Sequence, residues 1–354
     1  MRLGLWGARM DNSGLGMQTW EFYNHMKPAK TMVVDISMME KTPERRLKQY
    51  PERYPDNATI IYGMPNEQDI RQFLTDLDVV FIAESAYNMS FYQIARQMGV
   101  KTAVQYNYEF FDWFGQSIWE VPDLFIAPST WHYKEVQSLC DQKNIKHVYL
   151  HCPVAREKIT RRYVDSGLTF VHIAGRPAAH DRNGTYTFLN AIQLSEGDLR
   201  GRVYTQDKDL ANEIKAEFPS VDVKVNTTDY ADIYKKGSVL VLPRKYGGNC
   251  LPMNEALAAG MPVIMSKLSP QTDFLPMSWL VDARLTDTDF APRFKLEVYE
   301  CDVAALMLKM LWFKSLGHDD MLAQSNLAND LADSISWETM KPKYEEVFEA
   351  LCQL

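Results

Sequence analysis

The chain has 354 residues, 46% of them hydrophobic and 24% charged, which allows two domains with full cores and fits an ordinary globular protein. Its net charge of −8 weighs against a nonspecific nucleic-acid binder. No apolar run approaches the roughly 18 residues of a membrane span, the opening MRLGLWGARMDNSG lacks the apolar region of a secretory leader, and five scattered cysteines (Cys140, Cys152, Cys250, Cys301, Cys352) form no CxxC pair, which points to a reducing, cytoplasmic setting.

In chain order, residues 2–8 read as a strand, 11–17 as a glycine-bearing loop and 18–26 as a helix. A strand at 31–37 is followed by a charged, proline-bearing insertion at 38–57 with a short helix around 44–49. Strands at 58–62, 79–84, 102–106, 124–127 and 147–150 then alternate with helices at 66–76, 90–98 and 130–139, with an aromatic segment, NYEFFDWF, after the third of those strands. That alternation indicates βαβ units on a parallel sheet. The polar segment 155–167 reads as a linker. The pattern restarts with strands at 168–174, 202–205, 221–225 and 279–282 and helices at 185–193, 209–217 and 230–235, and closes with helices at 302–316, 318–331 and 336–351.

The stretch 239–266, VLVLPRKYGGNCLPMNEALAAGMPVIMS, concentrates the chemistry. Its two apolar runs suit strands of a buried parallel sheet, and the segment between them has helical spacing that stops at Gly260. The loop and first helical turn then lie at the carboxyl edge of the sheet, where doubly wound folds bind ligands. Arg244, Lys245 and the N–H groups around Gly247 and Gly248 supply what a phosphate needs, and Glu255 supplies a carboxylate for a ribose diol.

Three motifs resemble the GT-B glycosyltransferases, and within them the retaining glycosyltransferase family 4. Gly247-Gly-Asn-Cys-Leu-Pro-Met-Asn-Glu255-Ala-Leu-Ala-Ala-Gly260-Met-Pro-Val263 is similar to the family's E-G-F-G-L-P-x-x-E-A-x-A-x-G-x-P-V; Ser336-Trp337-Glu338, with Tyr344 and Val347, resembles its terminal S-W-E helix; Ser13-Gly14-Leu15-Gly16 matches its N-terminal G-G-x-G loop. A virus-encoded member is one form of the resemblance. It implies an α/β GT-B fold, two tandem Rossmann-like domains facing a cleft with the C-terminal helix crossing back: 1–154 plus 336–354 for the acceptor, 155–335 for the nucleotide sugar. It implies a metal-independent, retaining hexosyl or pentosyl transfer from a nucleotide diphosphate sugar, with no other cofactor.

The resemblance also assigns roles. Glu255 accepts from the ribose hydroxyls, and the backbone of Gly248, Asn249, Cys250 and Leu251 at a helix N-terminus faces the diphosphate or sugar. Arg176 is the cation expected after the first strand of the second domain; the lysine that normally follows falls on Asn183, so Arg182 or Lys245 supplies its charge to the departing diphosphate. Gly14 and Gly16 belong to the cleft loop of the first domain. The largest departure is Gly247, where the family carries a glutamate; Glu84 and Glu109 are the nearest substitutes on the first domain.

Weaker constellations read differently. Asp287-Thr-Asp289 reads as a solvated loop, His180 and Asp181 as a turn, and His147 with His151 lacks the glutamate of a zinc helix motif. Gly14-x-Gly16-x-x-Thr19 with Asp35 imitates part of a nicotinamide-dinucleotide fingerprint, and so leaves an oxidoreductase as a rival. A noncatalytic GT-B scaffold is the second rival. The acceptor stays open among a glycan, a protein and a modified DNA base.

Overall fold

The computed structural model describes residues 1–11, 13–36, 53–54, 58–113, 120–159, 168–175, 181–225, 231–235, 238–290 and 296–353. Two compact units form: Met1–Cys152 with Trp337–Leu354, and Pro153–Ser336.

The first unit is a seven-stranded parallel sheet. Its strands are β1 (Leu3–Ala8), β2 (Lys30–Asp35), β3 (Ala58–Tyr62), β4 (Val79–Ala83), β5 (Lys101–Gln105), β6 (Leu124–Ala127) and β7 (Lys146–Tyr149), in the spatial order β3-β2-β1-β4-β5-β6-β7. All six residues of β1 and all five of β4 are buried, as a sheet covered on both faces requires. The crossover helices are α1 (Gly14–Met26), α2 (Glu67–Leu74), α3 (Ser90–Gln97) and α4 (Tyr133–Lys143). Helix α2 starts on a full capping box, Asn66 with Asp69.

Helix α1 begins at Gly14, four residues before the expected start. The Asp11 carboxylate accepts from the Ser13 N–H (2.8 Å) and hydroxyl, and the Ser13 hydroxyl in turn accepts from the Gly16 N–H (3.1 Å). This N-cap initiates the helix through glycines that composition alone assigns to a loop. Gly14 and Gly16 are therefore first-turn helical residues.

The second unit repeats the plan. Strands β8 (Phe170–Gly175), β9 (Gly201–Thr205), β10 (Asp222–Val225), β11 (Val239–Leu242), β12 (Val263–Ser266) and β13 (Leu280–Val281) form a parallel sheet ordered β10-β9-β8-β11-β12-β13. Helices α5 (Thr185–Leu194), α6 (Lys208–Glu217), α7 (Ala231–Lys235) and α8 (Leu251–Ala258) connect them. An antiparallel ribbon follows, β14 (Ala283–Phe290) with β15 (Leu296–Cys301), and then α9 (Val303–Ser315) and α10 (His318–Ser334).

The ribbon corrects the loop expected at Asp287-Thr-Asp289: Asp287 lies on β14 opposite Val298. Its sequence, ARLTDTDF, is polar, with Arg284, Leu285 and Thr286 exposed, so it lacks the apolar run that marks a buried strand.

The last helix, α11 (Trp337–Cys352), returns to the first unit. Trp337, Tyr344 and Phe348 pack edge-on around Phe22 at 6.0–6.3 Å, while Phe22 stacks on Phe81 at 3.9 Å. Burying each such ring contributes about 2–3 kcal/mol. Tyr344 donates to Gln105 Oε1 (3.0 Å), and the Gln105 amide donates to Gln18 (2.7 Å), so a hydrogen-bonded chain joins α11, β5 and α1. Among the described residues, no helix is long and apolar enough to cross a membrane.

Candidate functional site

In each sheet the strand order reverses at one place, between β1 and β4 in the first unit and between β8 and β11 in the second. In sheets of this kind the carboxyl edge at such a reversal is the general ligand position.

At the second-unit switch point, the β11–α8 loop, residues 243–250, meets the β8–α5 loop. Arg182 Nη2 donates to the Gly247 carbonyl (2.8 Å), and its guanidinium lies 4.5 Å from the centre of the Tyr246 ring. The Arg182 carbonyl accepts from the Lys245 N–H (2.9 Å). Arg244 is 3% exposed and points its Nη1 at the Gly248 and Asn249 carbonyls (both 3.4 Å), while its own carbonyl accepts from Ser266 (2.6 Å). Gly248 has φ +96°, which disfavours a side chain there.

Helix α8 starts at Leu251 with Pro252 in its first turn, and Cys250 makes no side-chain cap. Its N-terminal amides and partial positive charge follow directly on the loop that carries Lys245 and that Arg182 bonds, an arrangement that favours an anion. One helical turn further on, partly buried Glu255 accepts a hydrogen bond from Tyr234 of α7, itself 1% exposed. Lys245 Nζ meets Glu300 of β15 at 3.1 Å, and the Tyr299 N–H donates to the Lys245 carbonyl (2.7 Å), so the ribbon is fastened to this loop.

Asn183, where the resemblance expects a lysine, donates its side-chain amide to the Ile173 carbonyl (2.8 Å) and closes the end of β8. Arg176 and His180 lie outside the described residues. Asp181 accepts from the N–H groups of Thr185 (2.7 Å) and Tyr186 (3.2 Å), which makes it an anchor for the start of α5.

One residue that sequence patterning missed lies beneath the site. His172, fully buried on β8, bonds the Val241 carbonyl through Nδ1 (2.7 Å) and the Thr185 hydroxyl through Nε2 (3.0 Å). A carbonyl only accepts, so Nδ1 carries the proton. Burial pushes the imidazole down to about 4, against a smaller upward pull from the Val241 hydrogen bond. The neutral ring joins β8, β11 and α5 at the switch point. The only signal was one histidine inside an apolar run, TFVHIAG.

At the first-unit switch point, Arg9 donates to Asp11 through Nε and Nη2 (2.9 and 2.6 Å) and faces Asp35 at 3.6 Å. Asp35, the acid that a dinucleotide reading reserves for a ribose, is thus ion-paired. A Cβ on Gly16 would lie 2.4 Å from Asp11 Oδ1 and 2.6 Å from the Arg9 carbonyl, so this glycine serves the close approach of α1 to its own loop. Glu84, just past β4 with φ +66°, accepts from the Asn107 amide (2.5 Å). Burial pushes its carboxyl up to about 7; the Asn107 bond opposes the rise, and the nearby Glu109 adds to it. The structure therefore brings Glu84 and Glu109 together on the first unit and groups Arg182, Arg244, Lys245, Gly248, Asn249, Cys250, Leu251 and Glu255 on the second.

The two histidines of the discounted zinc motif bond side chains: His147 contacts Tyr106 (3.0 Å) and Gln137 (3.1 Å), and His151 contacts Tyr149 (2.9 Å).

No protein-family model matches the sequence, and no curated protein matches it. Solved structures do. A glycosyltransferase from Rickettsia africae ESF-5 aligns with a TM-score of 0.68 at 12% identity, over 99% of this chain and 98% of that one. The fold is GT-B. Anabaena HepE in complex with UDP aligns with a TM-score of 0.66 at 10% identity, covering 99% and 100%. The α,α-trehalose-6-phosphate synthase of Burkholderia multivorans aligns with a TM-score of 0.63 at 9% identity, covering 99% and 98%. At such identities the likeness carries the GT-B architecture alone.

Proposed function

We propose that this chain is a glycosyltransferase that takes its donor, a nucleoside diphosphate sugar, at the switch point of the second unit. The observation that carries this reading is the order of groups along one loop and helix. Arg182, Lys245 and the uncapped start of α8 supply positive charge and N–H donors, and Glu255 follows one turn later as a hydrogen-bond acceptor. That order matches the sequence of phosphates and ribose in the donor. HepE, of the same fold, has been solved with UDP and with UDP and glucose.

In this mechanism the Glu255 carboxylate accepts from the ribose hydroxyls, with its geometry held by the Tyr234 hydroxyl. The α8 amides and Arg182 stabilise the negative charge that gathers on the leaving diphosphate. Lys245 joins them by exchanging Glu300 for a phosphate oxygen. Arg176 is a further phosphate ligand in this proposal. No step calls for a metal, and the resemblance implies retention at the anomeric carbon. Glu84 and Glu109 belong to the acceptor side, a hydroxyl-bearing glycan, protein or modified base. Four buried free thiols suit a reducing, cytoplasmic setting.

A thermal-shift screen of nucleoside diphosphates and their sugars tests this directly, because a ligand of the native state raises the melting temperature. We expect a shift with one base, lost in Glu255→Ala. No shift with any nucleoside diphosphate overturns the proposal. A noncatalytic scaffold is the second reading, favoured by Gly247 in place of a carboxylate and by Asn183 bonded to Ile173. It predicts binding without transfer or donor hydrolysis.

A further inference from the structure

We infer that Arg244 is a positioning residue of the donor site, acting on the diphosphate through the loop backbone and not by touching it. The sequence sets Arg244 beside Lys245 among the groups that suit a phosphate, but its side chain is 3% exposed and turned into the protein. Its backbone is pinned just past the end of β11. The N–H donates to the Leu242 carbonyl (2.8 Å), and the carbonyl accepts from the Ser266 hydroxyl (2.6 Å). From that anchor Nη1 reaches forward to the carbonyls of Gly248 and Asn249, both at 3.4 Å. The side chain thus closes the loop on itself, across four and five residues.

Two carbonyls on one guanidinium fix the direction of two amides. A trans peptide is planar, and its N–H points opposite to its C=O. The peptides of this loop are trans. With the Gly248 and Asn249 carbonyls held towards Arg244, the N–H groups of Asn249 and Cys250 are directed away from it. Neither N–H has a protein acceptor among the described residues. Cys250 is buried, and buried backbone donors are almost always paired, so these two amides suit an anion. Successive N–H groups turned to one side form a concave anion seat. Charge runs along the same line. A guanidinium on a carbonyl oxygen polarises the peptide and strengthens the N–H at its far end. Arg244 thereby makes the two amides better donors from behind, without meeting the ligand.

This role rests on the donor site proposed for the second unit, and the experiment separates the two. The full chain is labelled with nitrogen-15 at its five cysteines, and the Cys250 amide is assigned through Cys250→Ser. The probes are UDP, GDP, ADP, CDP and dTDP, each with its parent nucleoside. In the native chain the diphosphate that binds moves the Cys250 amide proton downfield, and its nucleoside does not. Arg244→Met weakens that diphosphate by about tenfold or more and leaves the nucleoside unchanged. At saturating diphosphate its Cys250 shift falls to about half or less of the native one, because the amide has lost its direction. Should Arg244→Met fail to fold, Arg244→Lys carries the same test, with a loss of about threefold or more confined to the diphosphate. A diphosphate that binds the native chain without moving Cys250 overturns the inference and leaves the donor reading standing. So does native diphosphate affinity in the variant, or an equal loss of diphosphate and nucleoside, which marks a merely structural residue. A full Cys250 shift in a weakened variant overturns it as well, in favour of direct contact with phosphate. If none of the five diphosphates binds the native chain, the donor reading falls and the inference with it.

Discussion

Arg182 donates a hydrogen bond to the Gly247 carbonyl across 2.8 Å, with its guanidinium against Tyr246. Gly247, where the motif it resembles carries a glutamate, is thus bonded through its backbone to an arginine. A planar guanidinium can hold a carbonyl, stack on a ring and still present N–H groups to a phosphate; a lysine cannot. Arg182→Lys is therefore expected to behave nearly as Arg182→Ala. Both should weaken binding of the nucleoside diphosphate found by the screen by about tenfold, a loss of about 1.4 kcal/mol by calorimetry. Full affinity in Arg182→Lys would reduce its role to simple charge.

The proposed ribose contact of Glu255 has a chemical control. Glu255→Gln should cost about 2 kcal/mol of nucleotide affinity, since a charged acceptor is replaced by a neutral one. The 2′-deoxy analogue should lose a comparable amount against the native chain and little more against the variant. Additive losses would place Glu255 away from the sugar hydroxyls.

Two buried groups give the two units opposite responses to acid. His172 has a depressed pKa, about 4, so its neutral form is favoured by folding. That contribution is present above pH 6.5, the ordinary histidine value, and is lost as the pH falls towards 4. Glu84 has a raised pKa, about 7, so its protonated form is favoured. Its contribution is present below the ordinary carboxyl value and is lost as the pH rises through 7. Each amounts to roughly 3 kcal/mol at full extent, so they partly cancel in whole-chain melts between pH 4.5 and 7. Glu84→Gln should make the chain lose more stability on acidification over that range, and His172→Gln should make it lose less. Denaturant titrations at pH 4.5 and 7.5 read both; identical slopes in all three proteins would count against these shifts.

Gly16→Ala inserts a methyl group against Asp11 Oδ1 and the Arg9 carbonyl, at 2.4 and 2.6 Å. Backbone must move, at a cost of about 1–3 kcal/mol, measurable as a lower urea midpoint. An unchanged midpoint would mean that the β1–α1 loop yields freely.

The sequence is informative where apolar runs are buried on both faces. VLVL and VIMS stand out as β11 and β12 because nothing polar interrupts them. The ribbon β14–β15 escaped notice for the converse reason, as did the start of α1, which depends on bonds from Asp11 and Ser13 rather than on periodicity. Glu255 was visible within its motif, but its partner Tyr234 is 21 residues away and joins it only through the fold. Likewise, the pairing of Lys245 with Glu300 spans 55 residues that no local pattern connects.

The return of α11 to the first sheet makes the first unit discontinuous in the chain. The first unit draws its Trp337–Tyr344–Phe348 cluster from beyond the second unit in sequence, whereas the second unit, Pro153–Ser336, is one continuous segment. The ends of that second unit also meet, through the Val154 N–H on the Ile335 carbonyl at 3.0 Å. The second unit is thus encoded without interruption, while its neighbour must be stitched from two segments.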